Sequence, residues 1–124
     1  MPWKTAVRMI HWPDDGLSVK WRGRVWLNPP YGEEAGDWLS MLADHGCGTA
    51  LAFARTETAM FYESVWERAS ALLFLRGRLH FHYPDGTRAK GNAGGPSVLI
   101  AYGSSDSNIL KNCGLPGGFV LLRK

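Results

Sequence analysis

Two hydrophobic periods alternate along this 124-residue chain, and the places where one gives way to the other mark its elements. The bulky residues from Arg24 to Leu27 predict a strand. After Gly32 the apolar positions Ala35, Trp38, Leu39 and Leu42 recur at i, i+3, i+4 and i+7, which is one face of a helix. Gly46-Cys47-Gly48 is expected to stop that helix, because glycine reaches left-handed conformations cheaply. Thr49 to Ala54 then predicts a second buried strand, and strand, helix, strand in this order makes a crossover unit. Thr56 is placed to cap a further helix, with Glu57 in its first turn and Phe61, Val65 and Ala69 as its buried stripe.

Ala71 to Leu75 is a third apolar run. Beyond Arg76-Gly77-Arg78 the period shortens to two: Leu79, Phe81 and Tyr83 alternate with His80 and His82. Tyr83-Pro84-Asp85-Gly86 then predicts a turn with proline in its favoured second position. A polar, glycine-rich loop from Thr87 to Gly95 follows. Ser97 to Tyr102 predicts a strand that pairs antiparallel with the 72–81 region. Ser104 to Asn112 predicts a short helix, and Phe119 to Leu122 a last edge strand. The first twenty or so residues, with Trp3, Trp12, Pro13 and the turn signal Asp14-Asp15-Gly16, hold no sustained period and read as an irregular lead-in or short helix.

The composition keeps this picture within one α/β domain spanning 1–124. The chain is 45% hydrophobic and 20% charged, with 15 glycines and six tryptophans, unlike disordered or collagen-like sequences. A net charge of +3 is compatible with a polyanionic partner but common among ordinary domains. The two cysteines, Cys47 and Cys113, have neither disulfide-framework nor zinc-ligand spacing, so no metal is expected and a reducing, cytoplasmic compartment is. No apolar stretch is long enough to span a bilayer, and Met1-Pro2-Trp3-Lys4 lacks a secretion signal. Trp26, Trp38 and Trp66 read as core. Trp3, Trp12 and Trp21 fall in the lead-in, where packing and stacking on a ligand both stay open.

The densest chemistry lies at Asn28-Pro29-Pro30-Tyr31, directly after the first predicted strand. Ligands bind at such carboxyl ends in open α/β sheets. The exocyclic amine of a base is a poor nucleophile because its lone pair is delocalised into the ring. Two acceptors that take its hydrogens can draw the nitrogen toward tetrahedral geometry: here the Asn28 side-chain carbonyl and the Pro29 backbone carbonyl. Both prolines stiffen the turn that would aim these acceptors, and Tyr31 offers a stacking face. An ordinary strand-ending turn would also use Asn and Pro.

These residues resemble the amino-methylating DNA methyltransferases that use S-adenosylmethionine. Further motifs extend the likeness over roughly Trp3 to Tyr102: Trp21-x-Gly23-Arg24-Val25-Trp26-Leu27 leading into Asn28, Ala54-Arg55-Thr56-x-Thr58, Phe74-Leu75-x-Gly77-Arg78-Leu79-x-Phe81, and Pro96-Ser97-Val98-Leu99-Ile100. In this order they resemble the phage-type DNA N-6-adenine methyltransferase family. The resemblance implies a Rossmann-like methyltransferase fold whose sheet ends in an antiparallel hairpin, with Asn28, Pro29, Pro30 and Tyr31 as catalytic residues, S-adenosylmethionine as cofactor and DNA as partner. In that family a segment of the type Asp-Pro-Cys-Ala precedes the tetrapeptide and helps bind the cofactor; here Met1 falls about where it should just have ended. The expectation is therefore a partial fold lacking its first strand, with no cofactor-binding residue assigned. The alternative function is a truncated, inactive relative that binds nucleic acid. An exposed sheet edge where that strand should be would favour homo-oligomers.

Arg55, Arg76 and Arg78 follow predicted strands and suit phosphate contact, although solvated or fold-bracing arginines are commoner. His80 and His82 share a face but lack a third metal ligand. Arg88 and Lys90 could follow a DNA backbone.

Overall fold

The computed structural model describes residues 20–29, 34–77 and 95–123. Within them β1 (Val25–Leu27), α1 (Ala35–His45) and β2 (Gly48–Phe53) form the expected crossover, with β1 and β2 adjacent and parallel. α1 buries Ala35, Leu39 and Leu42, three of the four positions of the apolar stripe. It ends at Gly46, whose φ of 80° is left-handed and whose N–H donates to the Leu42 carbonyl at 2.8 Å.

α2 (Ala59–Phe61) continues into a π-helical turn over Tyr62–Trp66, closed by the Glu67 N–H on the Tyr62 carbonyl. The cap is Thr58 rather than Thr56. Thr58 stays extended while its hydroxyl accepts the Phe61 N–H at 3.2 Å and donates to the Arg55 carbonyl at 2.9 Å. Thr56 and Glu57 are consumed by the turn that the Thr58 N–H closes on Arg55. The apolar stripe is as expected: Phe61, Val65 and Ala69 are fully buried.

β3 (Ala71–Leu75), β4 (Ser97–Tyr102), α3 (Ser104–Asn112) and β5 (Gly117–Leu121) complete a mixed five-stranded sheet in the order β1-β2-β4-β3-β5. β4 is antiparallel to β3, as its sequence predicts, and also to β2, along all six of its residues. β5 closes the far edge antiparallel to β3. The three strands β1, β2 and β3 therefore run the same way, and their carboxyl ends share one end of the sheet.

Both faces are covered, as an α/β fold requires. Leu39, Leu42, Phe61 and Val65 pack on one face against Leu27, Ala50, Ala52, Leu72, Val98, Ile100 and Tyr102. On the other, Leu110 of α3 packs against Ala71, Leu73, Leu99 and Ala101. Burial of all six β4 residues explains why this strand reads as one unbroken apolar run. Tyr102 places its hydroxyl inside the first layer, donating to the Ser64 carbonyl at 2.5 Å. Trp21 of the lead-in is core: it stacks on Trp38 with centroids 6.3 Å apart and meets His45 edge-on. Nε2 of His45 donates to the Gly23 carbonyl at 2.6 Å, so the end of α1 holds the approach to β1.

Trp38 and Trp66 are partly buried against the first layer. Trp26, expected in the core, is instead 55% exposed. The cause is its place on an edge strand: α1 covers the face of β1 that carries Val25 and Leu27, and Trp26 projects from the opposite face. Among the described residues no helix is long and apolar enough to cross a membrane. Trp3, Trp12, the 14–16 turn, His80, His82, the 83–86 turn, Arg88 and Lys90 lie outside the described residues.

Candidate functional site

Burial alternates strictly from Trp26 to Pro29: exposed, buried, exposed, buried. Asn28 precedes a proline, which biases it to extended backbone, so it continues the pleat of β1. Leu27 and Pro29 face the core while Trp26 and Asn28 share the opposite, open face. Pro29 is buried and Asn28 is accessible. Pro30 and Tyr31 lie outside the described residues.

The register sets the height of Asn28. Leu27 pairs with Ala50, so Asn28 is level with Leu51, two residues short of the end of β2 at Phe53. The carboxyl edge therefore steps up by roughly 7 Å from β1 to β2. Above the step lies Arg55. Its guanidinium sits over the Phe53 ring, 5.6 Å from the centroid, and the Arg55 backbone N–H donates to the Phe53 carbonyl at 2.9 Å. Gly95 flanks the same ring. A guanidinium braced on an aromatic face is pre-oriented while its donors stay in solvent.

Arg76 follows β3 and is also exposed, its N–H donating to the Pro116 carbonyl at 2.9 Å. The strand order inserts β4 between β2 and β3, so Arg76 stands three strand spacings, about 14 Å, from the end of β1. The fold thus brings Asn28 and Arg55 to neighbouring strand ends and sets Arg76 apart. Arg78 lies outside the described residues. Ser97, opposite Phe53 at the start of β4, is 1% exposed, and its hydroxyl has no hydrogen-bond partner among the described residues.

A polar cluster absent from the sequence reading occupies the opposite end of the sheet. Asp106, buried in the first turn of α3, accepts from the Thr49 hydroxyl at 2.6 Å and from Nε of Arg24 at 3.0 Å. The hydrogen bond and the charge of Asp106 raise the Arg24 pKa above its ordinary value. The cluster joins α3 to β2 and to the residue before β1. The sequence signal was slight, because Asp106 sits among serines in a helical first turn, where an acid is ordinary. Its burial follows only from α3 docking over Thr49. Among the described residues no three His, Cys, Asp or Glu side chains group to hold a metal, and Cys47 and Cys113 are both free.

Comparison with known proteins returns no match: no family model, no curated protein and no solved structure matches this chain. The functional reading rests on the motifs and on the geometry at the carboxyl end of β1.

Proposed function

We propose that this chain carries the acceptor-base side of an amino-methylating site in a Rossmann-like fold, and transfers a methyl group from S-adenosylmethionine to the exocyclic amine of a flipped adenine in DNA. The observation that carries the reading is the exposed Asn28 amide beside the buried Pro29, at the shared carboxyl ends of β1 and β2. The ordered motifs support the same assignment, as does the antiparallel β4 inserted between β2 and β3. Arg55 and Arg76, both exposed at that end, are suited to phosphates of the substrate strand.

The fit to a methyl donor is tested by the chemistry on the open face. An exposed amide suits an adenine amine, which target and donor both carry, and when bound the donor would supply an electrophilic methyl group, its sulfur–methyl bond breaking as the nitrogen–methyl bond forms, with S-adenosylhomocysteine leaving and the surplus amine proton passing to solvent. The chain's own residues bind and orient the target amine. The Asn28 side-chain carbonyl takes one hydrogen and the Pro29 backbone carbonyl the other, so the nitrogen lone pair is freed from the ring.

The test is methyl transfer from isotopically labelled S-adenosylmethionine to adenine-containing DNA, with N6-methyladenine identified by mass spectrometry. Asn28→Ala is expected to lower the rate ~10²-fold, the usual cost of removing one preorganised hydrogen-bonding group at a reacting centre. Absence of N6-methyladenine from every DNA offered, or an Asn28→Ala variant as active as the parent, overturns the reading.

A further inference from the structure

Trp26 is the exposed large aromatic on the face that Asn28 shares. It is 55% exposed, two residues before Asn28 on the same strand, and belongs to neither apolar layer. Its neighbour across the pair is Thr49, whose hydroxyl is committed to Asp106 under the first turn of α3. Leu51, beside Asn28, is half-buried. Trp26 is thus level with Thr49, which α3 covers, with Asn28 next on the same face of the strand and Phe53 and Arg55 higher on the neighbouring strand. Side chains two apart on a strand are about 7 Å apart. A ring stacked near Trp26 can therefore present its edge to the Asn28 amide.

We infer that Trp26 is the platform on which an adenine ring stacks, beside the Asn28 amide. This rests on the amino-methylating reading, which it deepens by adding the residue that holds the plane of the base. Adenine occurs in two ligands of such a site, the target nucleotide and the adenosyl group of the donor, and the shared chemistry is the flat purine with an amine on its edge. A residue used only for packing would be hidden in a layer, whereas half of this indole faces solvent.

The experiment is titration calorimetry and tryptophan fluorescence on the full chain with three probes. They are S-adenosylhomocysteine, a single-stranded thymine oligonucleotide with one central adenine, and the same strand without it. Trp26→Ala is expected to weaken one of the two adenine-bearing probes about tenfold, as removal of a stacking aromatic does, and the affected probe says which adenine Trp26 holds. Trp26→Phe should keep most of the affinity yet lose most of the fluorescence quench seen in the parent, a change that a packing role would not produce. Far-UV circular dichroism confirms that both variants keep the fold.

Equal affinity of parent and Trp26→Ala for both adenine-bearing probes overturns the inference. So does an undiminished quench in Trp26→Phe, an equal loss on the adenine-free strand, or a parent that binds neither adenine probe. If methyl transfer is absent but the Trp26 effects appear, the function falls and the platform stands. If transfer occurs and Trp26→Ala binds as the parent does, the platform alone falls.

Discussion

Replacing Gly48 with alanine should loosen β1 from the sheet. Gly48 begins β2, pairs with Val25 on one side and Tyr102 on the other, and has a φ of 157°, where L side chains are rarely found. A Cβ there would lie 2.4 Å from the Val25 carbonyl oxygen and 3.0 Å from a Leu42 methyl. The first is a backbone atom, so relief requires β1 itself to move. The unfavourable φ costs about 1–3 kcal/mol, and forcing atoms into a filled site costs about another 1–3. The sum of about 2–6 kcal/mol is a large part of the ~5–15 kcal/mol that stabilises a typical domain.

Urea denaturation followed by circular dichroism measures the change. With a slope of about 2 kcal/mol/M, the midpoint should fall by roughly 1–3 M. Gly46→Ala is the control: its φ of 80° is left-handed, but its Cβ would meet nothing within 4 Å. It should show the conformational cost alone, about 1–2 kcal/mol. Hydrogen exchange at the Val25 amide, which donates to the Cys47 carbonyl at 3.2 Å, should accelerate in Gly48→Ala more than in Gly46→Ala. If the two variants lose equal stability, the close approach of β1 does not govern this contact and the reasoning is refuted.

Further outcomes are expected at two buried polar contacts. Tyr102→Phe removes a buried hydroxyl from the Ser64 carbonyl and should cost about 1–2 kcal/mol in the same denaturation assay. Burial raises the Tyr102 pKa above its ordinary 10.0. The unfolded chain therefore loses this proton first, and the Tyr102 contribution to stability is full below about pH 10 and declines as pH rises past it. The midpoint of the parent should fall more steeply over that alkaline range than that of Tyr102→Phe, and identical slopes would count against the burial argument. Asp106→Ala strips the buried Thr49 hydroxyl of its acceptor and should cost about 2 kcal/mol. Arg24→Ala should cost clearly less, since the Arg24 side chain is 58% exposed; the reverse order by thermal melting would show that the ion pair, not the buried bond, anchors α3.

Most elements were legible because their signals are local. The stripe of Ala35, Leu39 and Leu42, the left-handed Gly46 and the 104–112 helix depend on contacts within a few residues and on one buried face, and β4, buried on both faces, reads as an unbroken apolar run. The helix cap was misplaced by two residues because Thr56 and Thr58 are equivalent as sequence, and only the turn closing on Arg55 selects the second. Trp26 was misread for a different reason. Its neighbours predict a strand, but no local signal says whether that strand is central or at the edge, or which face a helix covers.

The amino-acid sequence by itself determined the order of strands and helices, the extended backbone of Asn28 before Pro29 and the presence of Arg55 after the second strand, because each follows from chain stereochemistry or hydrophobic period. Tertiary structure alone decided the strand order β1-β2-β4-β3-β5, and with it the separation of Arg76 from Asn28 and the burial of Asp106 against Thr49. It also decided that Trp26 and Asn28 stand together on an open face. The physical reason is that strand neighbours and covered faces are set by contacts between residues far apart in the chain, where the sum of buried area governs and no short window of residues carries the information.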